Sequence, residues 1–263
     1  MQHKDKMNIT HYVTFDLPVP YKSIMLYPVP LKEYMPFSTY AQCLQLDKNS
    51  IPDVKIISMS ELEYIFRASE ENIEEQPYIL WLDRLLALCL KDDKSFEKIE
   101  KSIERYQYDE RGKPYILIGK EKFDSLDFEE IKSIISEQNM VDLPDESMSK
   151  EVRDSLEQAR AYKSRGNKSP SFEDLLVSVA TESGWELEYV YSLSIRKFFK
   201  SMKRMDNALH YKILLAASFT GAIDDKSIIK HWLSNIDDDD KYGDVTMDLD
   251  EVQSKVSLES AKQ

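Results

Sequence analysis

A mainly helical α+β fold, with small β-hairpins in the N-terminal part and a helical C-terminal part, is what this sequence predicts. Three observations carry it. The 263 residues include only 6 glycines, with 42% hydrophobic and 32% charged side chains, a helix-leaning globular composition. Apolar residues recur at helical spacing over Tyr78–Leu90, Asp124–Gln138, Ser171–Ser183 and the stretch that follows Ser194. Short extended or alternating stretches interrupt that texture at Thr10–Leu17, Ile24–Tyr27 and Arg105–Ile118.

In chain order, Thr10–Leu17 alternates Val13, Phe15 and Leu17, and Ile24–Tyr27 follows Pro18-Val19-Pro20, so the two runs are expected to pair as a hairpin. Leu31–Leu46 carries Tyr34, Phe37, Ala41 and Leu44 at helical spacing, with Pro36 tolerable near a first turn or kink. Asp47–Asp53 reads as a loop. Ser60-Glu61-Leu62-Glu63 has the form of a capping box and starts a helix through Phe66. Tyr78–Leu90 is so apolar that it is expected to be a nearly all-round buried helix at the centre of the first core. Arg105–Ile118 reads as a hairpin with Asp109–Gly112 as its turn. Asp124–Gln138 then forms a helix with Phe128, Ile131 and Ile135 inward, and its early carboxylates suit the positive end of the helix dipole.

Beyond Met140 the texture changes. Glu151–Lys163 is a mostly polar helix with a thin apolar stripe, and SRGNKSP closes it as a linker. Ser171 and Asp174 cap a helix that Gly184 ends. Ser194 caps the next, where Ile195, Phe198, Phe199 and Met202 form one face while Arg196, Lys197, Lys200, Lys203 and Arg204 take the other. That helix is expected to continue through Leu209, Ile213 and Ala217 to Gly221, and a last helix is expected over Asp225–Leu233. The predicted layout is an α+β domain over residues 1–145, a helical domain over 146–235, and a flexible acidic tail over 236–263.

The chemistry is read largely from what the residues cannot build. The glycines stand too far apart for a phosphate-cradling loop, and none of the four histidines has a His or Cys partner at i+3 or i+4. The run Asp237–Asp240 before Gly243 fails as a calcium loop, because in a loop that starts at Asp238 Tyr242 and Leu249 occupy the fifth and twelfth positions. No GxSxG elbow occurs. The expectation is a non-enzymatic protein without cofactor or metal. Cys43 and Cys89 sit in apolar stretches as small buried hydrophobes, and with no signal-like N-terminus or long apolar run the expected location is the cytoplasm. A net charge of -13 opposes wholesale nucleic-acid binding. The basic helix could still track phosphates, but its phenylalanines lie on the face opposite the cations, where they serve as core residues rather than stacking platforms. The basic face is then either merely solvated or suited to an acidic partner or the tail of a second copy, and self-association stays open. Arg196, Lys200, Lys203, Arg204 and Trp232 are the candidate protein-binding residues.

Several stretches carry a family likeness: YKSIMLYPVPLKEYMPF, DKNSIPDVKIISMSELEYIF, SEQNMVDLPDE, SIRKFFKSMKRMDNALHYKI and KHWLSN. Together they resemble phage and prophage proteins of Gram-positive hosts, encoded among tail morphogenesis genes and regarded as tail assembly chaperones or related tail components. The resemblance implies a protein that binds other phage tail proteins, above all the tape measure protein, and keeps that long helical chain soluble while tube subunits polymerise around it. It transfers no catalytic or binding residue. A structural component of the tail or baseplate retained in the virion is the first alternative. A nucleic-acid-binding regulator using residues 195–205 is the second.

Overall fold

Capping side chains set where the helices of this chain begin. In the computed structural model, which describes residues 3–48, 53–70, 77–91, 105–144, 148, 150–163, 170–223 and 229–234, the Ser60 box is formed as the sequence predicts. The Glu63 carboxylate accepts from the Ser60 amide at 2.8 Å, and the Ser60 hydroxyl oxygen accepts from the Glu63 amide at 3.2 Å. The chain is a mainly helical α+β protein, with one two-stranded and one three-stranded antiparallel sheet among the described residues. It divides into two compact units, Met1–Glu146 with Leu176–Met202, and Ser147–Leu175 with Lys203–Gln263.

The first unit opens with α1, His3–Thr14, not with the strand expected over Thr10–Leu17. The alternation of Val13, Phe15 and Leu17 misleads there. Ile9, Tyr12 and Val13, spaced three and four apart, pack against the core, whereas Phe15 and Leu17 stay exposed. The hairpin is instead β1, Val19–Tyr21, with β2, Ile24–Leu26, in the register Val19↔Leu26 and Tyr21↔Ile24. Lys22 makes its turn in the left-handed region at φ 49°.

After the 3-10 turn Leu31–Glu33 come α2, Tyr34–Tyr40, a second 3-10 turn Ala41–Leu44, and the short α3, Val54–Ile57. The expected single helix over Leu31–Leu46 is thus three pieces. Pro36 lies in the first turn of α2, where its missing N–H costs nothing. Much of the expected loop Asp47–Asp53 lies outside the described residues. α4, Glu61–Glu70, and α5, Tyr78–Cys89, follow.

α5 is central to the core as predicted. Leu82, Leu85, Leu86 and Cys89 are fully buried, although Leu80 faces solvent. Asp83 is fully buried on the same helix, and its carboxylate accepts from the Arg105 guanidinium at 2.6 Å. A second buried pair joins Lys132 to Glu61.

The predicted hairpin is present as β3, Tyr106–Tyr108, and β4, Pro114–Ile118, and a third strand not read from the sequence, β5, Glu121–Phe123, extends the sheet. In its turn the Asp109 carboxylate accepts from the amides of Arg111 and Lys113, the kind of local Asx bonding that favours Asp there. α6, Ser125–Asn139, starts in a capping box between Asp124 and Asp127 and buries Phe128, Ile131, Ile134 and Ile135. It ends at Met140 in the left-handed region, and the buried Asn139 accepts from the Val29 amide at 2.8 Å.

The same unit is completed from far along the chain. Ile195 joins the hydrophobic core, and the segments around residues 30 and 194 pair in antiparallel fashion. The Leu31 amide donates to the Leu193 carbonyl at 2.7 Å, and the Ile195 amide donates to the Val29 carbonyl at 3.0 Å.

In the second unit, α7, Lys150–Lys163, is the polar helix expected there. The next helix, α8, Phe172–Ser183, starts in the predicted cap, where the Asp174 carboxylate accepts from the Ser171 amide and hydroxyl at 3.0 and 2.7 Å. Those bonds from Ser171 hold the Asp174 carboxyl below its ordinary range. The short α9, Leu187–Ser192, belongs to the first unit and was not read from the sequence. α10 runs without interruption from Ile195 to Phe219 and stops at Gly221, as predicted. Of the helix expected over Asp225–Leu233, residues 225–228 lie outside the described residues and the end is a turn, in which the Ser234 amide donates to the His231 carbonyl at 2.8 Å. The expected tail lies outside the described residues beyond Ser234.

Candidate protein-binding face

The cationic helix starts at Ser194, whose hydroxyl oxygen accepts from the Lys197 amide at 3.1 Å and so satisfies a free donor of the first turn. Ile195 and Phe198 are buried. Phe199 is half-buried, with its ring edge-on to Tyr34 at 5.3 Å and to Phe198 at 5.2 Å. The phenylalanines are therefore core residues, as their opposition to the cations predicts, and no stacking platform for bases is formed by them.

The cations have separate tasks. In the first unit, Arg196 donates to the Glu137 carbonyl at 2.9 Å, satisfying an acceptor in the last turn of α6. Lys197 pairs with Asp16 at 3.1 Å. Lys200 and Lys203 are half-buried, and each is engaged in contacts of its own.

In the second unit, Arg204 donates to the carbonyls of Trp232 at 2.7 Å and Ser234 at 2.9 Å. Tyr211, two helical turns on, lies 5.3 Å ring to ring from His231, and His231 Nδ1 accepts from the Leu233 amide at 3.2 Å. The helix thus holds the turn His231–Ser234 by two hydrogen bonds from one guanidinium nitrogen and by an aromatic contact. Trp232 and Leu233 remain exposed on that turn. Of the five candidate residues, the structure brings Arg204 and Trp232 together by a hydrogen bond, while Arg196 is tied to the end of α6.

On α10 in the same unit, Leu209, Ile213 and Phe219 are exposed, and none of its residues from Lys203 onward is buried. Leu209 and Ile213, four apart, share one exposed face of the helix, whereas Phe219, six residues further on, points to a different side.

Two other features were not read from the sequence. One is a cleft of about 590 Å³ where the N-termini of α4 and α6 meet, with the Ser60 and Ser125 hydroxyls 3.0 Å apart. Its carboxylates are already engaged: Glu63 and Asp124 in their caps, Asp109 in its turn, and Asp127 with the Lys22 ammonium at 2.6 Å and the Tyr21 hydroxyl at 2.9 Å. Burial pushes the Asp127 carboxyl up, but bonds from Lys22, Tyr21 and the Asp124 amide outweigh it and leave the group below its ordinary range. Lys122 sits over the Tyr115 ring at 4.5 Å. These groups satisfy one another and knit the hairpin β1–β2 to α6. Among the described residues no cluster of three or more His, Cys, Asp or Glu is arranged to hold a metal ion.

The other feature is an exposed aromatic face on and before α9, made by Trp185, Leu187, Tyr189 and Tyr191. The run W-E-L-E-Y alternates apolar and polar residues as a strand would, and that pattern hides the start of a helical turn with a single buried side chain, Val190.

No helix among the described residues is long and apolar enough to cross a membrane. Neither the curated proteins nor the solved structures provide a match to this chain. Residues 163–237, which include α8, α9, α10 and the Trp232 turn, match the family model of the YomV second domain, and this relates the chain to a phage protein family of SPβ-like prophages.

Proposed function

We propose that this chain is a non-enzymatic phage tail assembly chaperone that works in the host-cell cytoplasm and holds the tape measure protein during tail morphogenesis. The observation that carries the reading is the apolar surface of the second unit. Arg204 fixes the His231–Ser234 turn so that Trp232 and Leu233 project, and α10 in the same unit exposes Leu209, Ile213 and Phe219. Tryptophan and arginine at a partly desolvated surface are the residue types that dominate protein–protein contacts, and the exposed pair Leu209 and Ile213, one turn apart, suits docking of a second amphipathic helix. The likeness of residues 163–237 to a phage-associated domain supports the same setting. Cations at the rim of this surface, Lys203 among them, set association rate more than final affinity.

The test is co-expression with the tape measure protein of the same phage, followed by affinity capture. The unaltered chain is expected to retain it in the soluble fraction. Trp232→Ala is expected to weaken capture with folding intact, and the triple reversal Lys200→Glu, Lys203→Glu, Arg204→Glu to abolish it. Failure of the unaltered chain to capture the tape measure protein would refute the chaperone reading. Recovery of the chain in purified particles would replace it with a structural component of the tail or baseplate.

A further inference from the structure

We infer that the exposed face built by Trp185, Leu187, Tyr189 and Tyr191 is a docking surface for a cationic segment of a partner polypeptide, one that carries arginine or lysine between apolar residues. This surface lies in the first unit and does not rest on the tape measure reading. Its construction begins at Gly184, which takes φ 71° and ends the preceding helix, so that the chain turns outward at Trp185. The Trp185 amide donates to the Ser183 hydroxyl oxygen at 3.2 Å, and α9 begins two residues later. Beneath it Val190 is fully buried, and Leu193 accepts from the Leu31 amide at 2.7 Å. The face is therefore carried on a backbone fixed from below, and its side chains need little ordering when a partner arrives.

The exposed side chains fall into two pairs. Trp185 and Tyr189 are four apart, with ring centroids 5.3 Å apart and planes at 80°, an edge-to-face pair. Leu187 and Tyr191 are also four apart and lie on one side of α9. Glu188 on α9 and Glu186 at its N-cap are both exposed, and Glu182 is exposed on the last turn of the preceding helix. Single exposed aromatics are ordinary surface residues, but a tryptophan and two tyrosines in seven successive residues are the composition of an interface centre.

The charge of the surrounding sequence selects the occupant. From Leu176 to Ile195, within the first unit, the chain carries Glu182, Glu186 and Glu188 and no lysine, arginine or histidine. The faces of Trp and Tyr rings are themselves the negative part of their quadrupoles, so rings and carboxylates attract the same kind of ligand. A phosphate backbone is repelled by such a face. A neutral apolar segment would desolvate Glu188 without giving it a partner. A guanidinium or ammonium group stacked on the Trp185–Tyr189 pair and bonded to Glu186 or Glu188 satisfies both features, and the apolar neighbours of that cation cover Leu187 and Tyr191.

The experiment uses the full chain and three short synthetic peptides as probes, alternating leucine with arginine, lysine or glutamate, with binding measured by calorimetry at two salt concentrations. The arginine and lysine peptides are expected to bind and the glutamate peptide not. Trp185→Ala with Tyr189→Ala is expected to weaken binding by about tenfold or more, and Trp185→Phe with Tyr189→Phe to recover most of that loss, because the π faces return. Glu186→Gln with Glu188→Gln is expected to weaken binding several-fold and to flatten its salt dependence. Glu110→Gln with Glu129→Gln, the same charge change elsewhere on the first unit, is expected to leave affinity within about twofold. Thermal melts of each variant check that the fold is kept. Equal loss in the two glutamate pairs would reduce the effect to overall charge and overturn the proposal. So would unchanged binding after loss of Trp185 and Tyr189, or no binding of either cationic peptide. A dimer in sedimentation that Trp185→Ala with Tyr189→Ala dissociates would assign the face to a second copy and overturn it as well.

Discussion

Replacing Asp83 by Leu should destabilise the first unit by several kcal/mol. The carboxylate is fully buried and lies 2.6 Å from the guanidinium of Arg105, whose side chain is only 7% exposed. Desolvating two such charges costs several kcal/mol, and the pair offsets that cost only while both partners are present. Removing Asp83 leaves Arg105 buried without its counter-ion, a loss of about 3–5 kcal/mol. For a domain of 150–250 residues each kcal/mol lowers the melting temperature by about 2–4 °C, so a fall of roughly 6–20 °C follows. The Tyr106 phenol, which burial and the Asp83 charge hold well above its ordinary pKa, should titrate earlier in the variant. The assay is a double-mutant cycle by urea unfolding, with Asp83→Leu, Arg105→Met and the double variant. The double variant should recover most of the stability, because two apolar side chains have no charge left to desolvate. A loss below about 1 kcal/mol in Asp83→Leu, or additive losses in the double variant, would refute the reasoning.

Leu86→Asp should abolish soluble expression of the first unit, since Leu86 is fully buried in α5, and a soluble variant with unchanged melting would remove that helix from the core. Cys43 and Cys89 should react with a thiol reagent only after unfolding. Burial pushes the Cys89 thiol up to about 12 and raises Cys43 as well, so neither supplies thiolate at neutral pH, and fast labelling of the native protein would contradict this. Asp127→Asn should be less stable than the unaltered chain at neutral pH, with the gap closing on acidification. The folded carboxyl titrates below its unfolded value near 3.9, so its contribution is present above that pH and is lost as pH falls through the folded value; a gap independent of pH would refute it.

What could be read from the sequence followed from local rules. The capping pairs Ser60/Glu63 and Ser171/Asp174, the Asp109–Gly112 turn and the 3.6-residue spacing of Phe128, Ile131 and Ile135 each fix structure within a few residues of themselves. The error over Thr10–Leu17 came from choosing between two periods within eight residues: Val13 fits both a strand and a helix, and only burial of Ile9 and Tyr12 decides for the helix. Asp83 was visible as a lone carboxylate in an apolar helix. Its partner Arg105 lies 22 residues away in sequence, a distance no local pattern spans. The candidate binding residues were legible as a charged face, but their division into Arg196 at the end of α6 and Arg204 on the Trp232 turn depends on which carbonyls the fold brings near. The aromatic face at Trp185 escaped notice because its alternation imitates a strand, and its exposure depends on Val190 being the side chain that turns inward.

The pairing of Val29–Leu31 with Leu193–Ile195 has a consequence for synthesis. Translation is vectorial, and about 165 residues separate the two halves of this seam, so at about 5–20 residues per second the first half waits roughly ten to thirty seconds on the ribosome for the second. Through that interval the amide of Leu31 and the carbonyl of Val29 have no backbone partner, and the place that Ile195 fills in the core is open. A nascent chain halted anywhere between the two segments carries an unfinished body, vulnerable to proteases and to strand addition by other chains. Passage of the ribosome beyond residue 195, rather than beyond 146, is the event that closes the first unit.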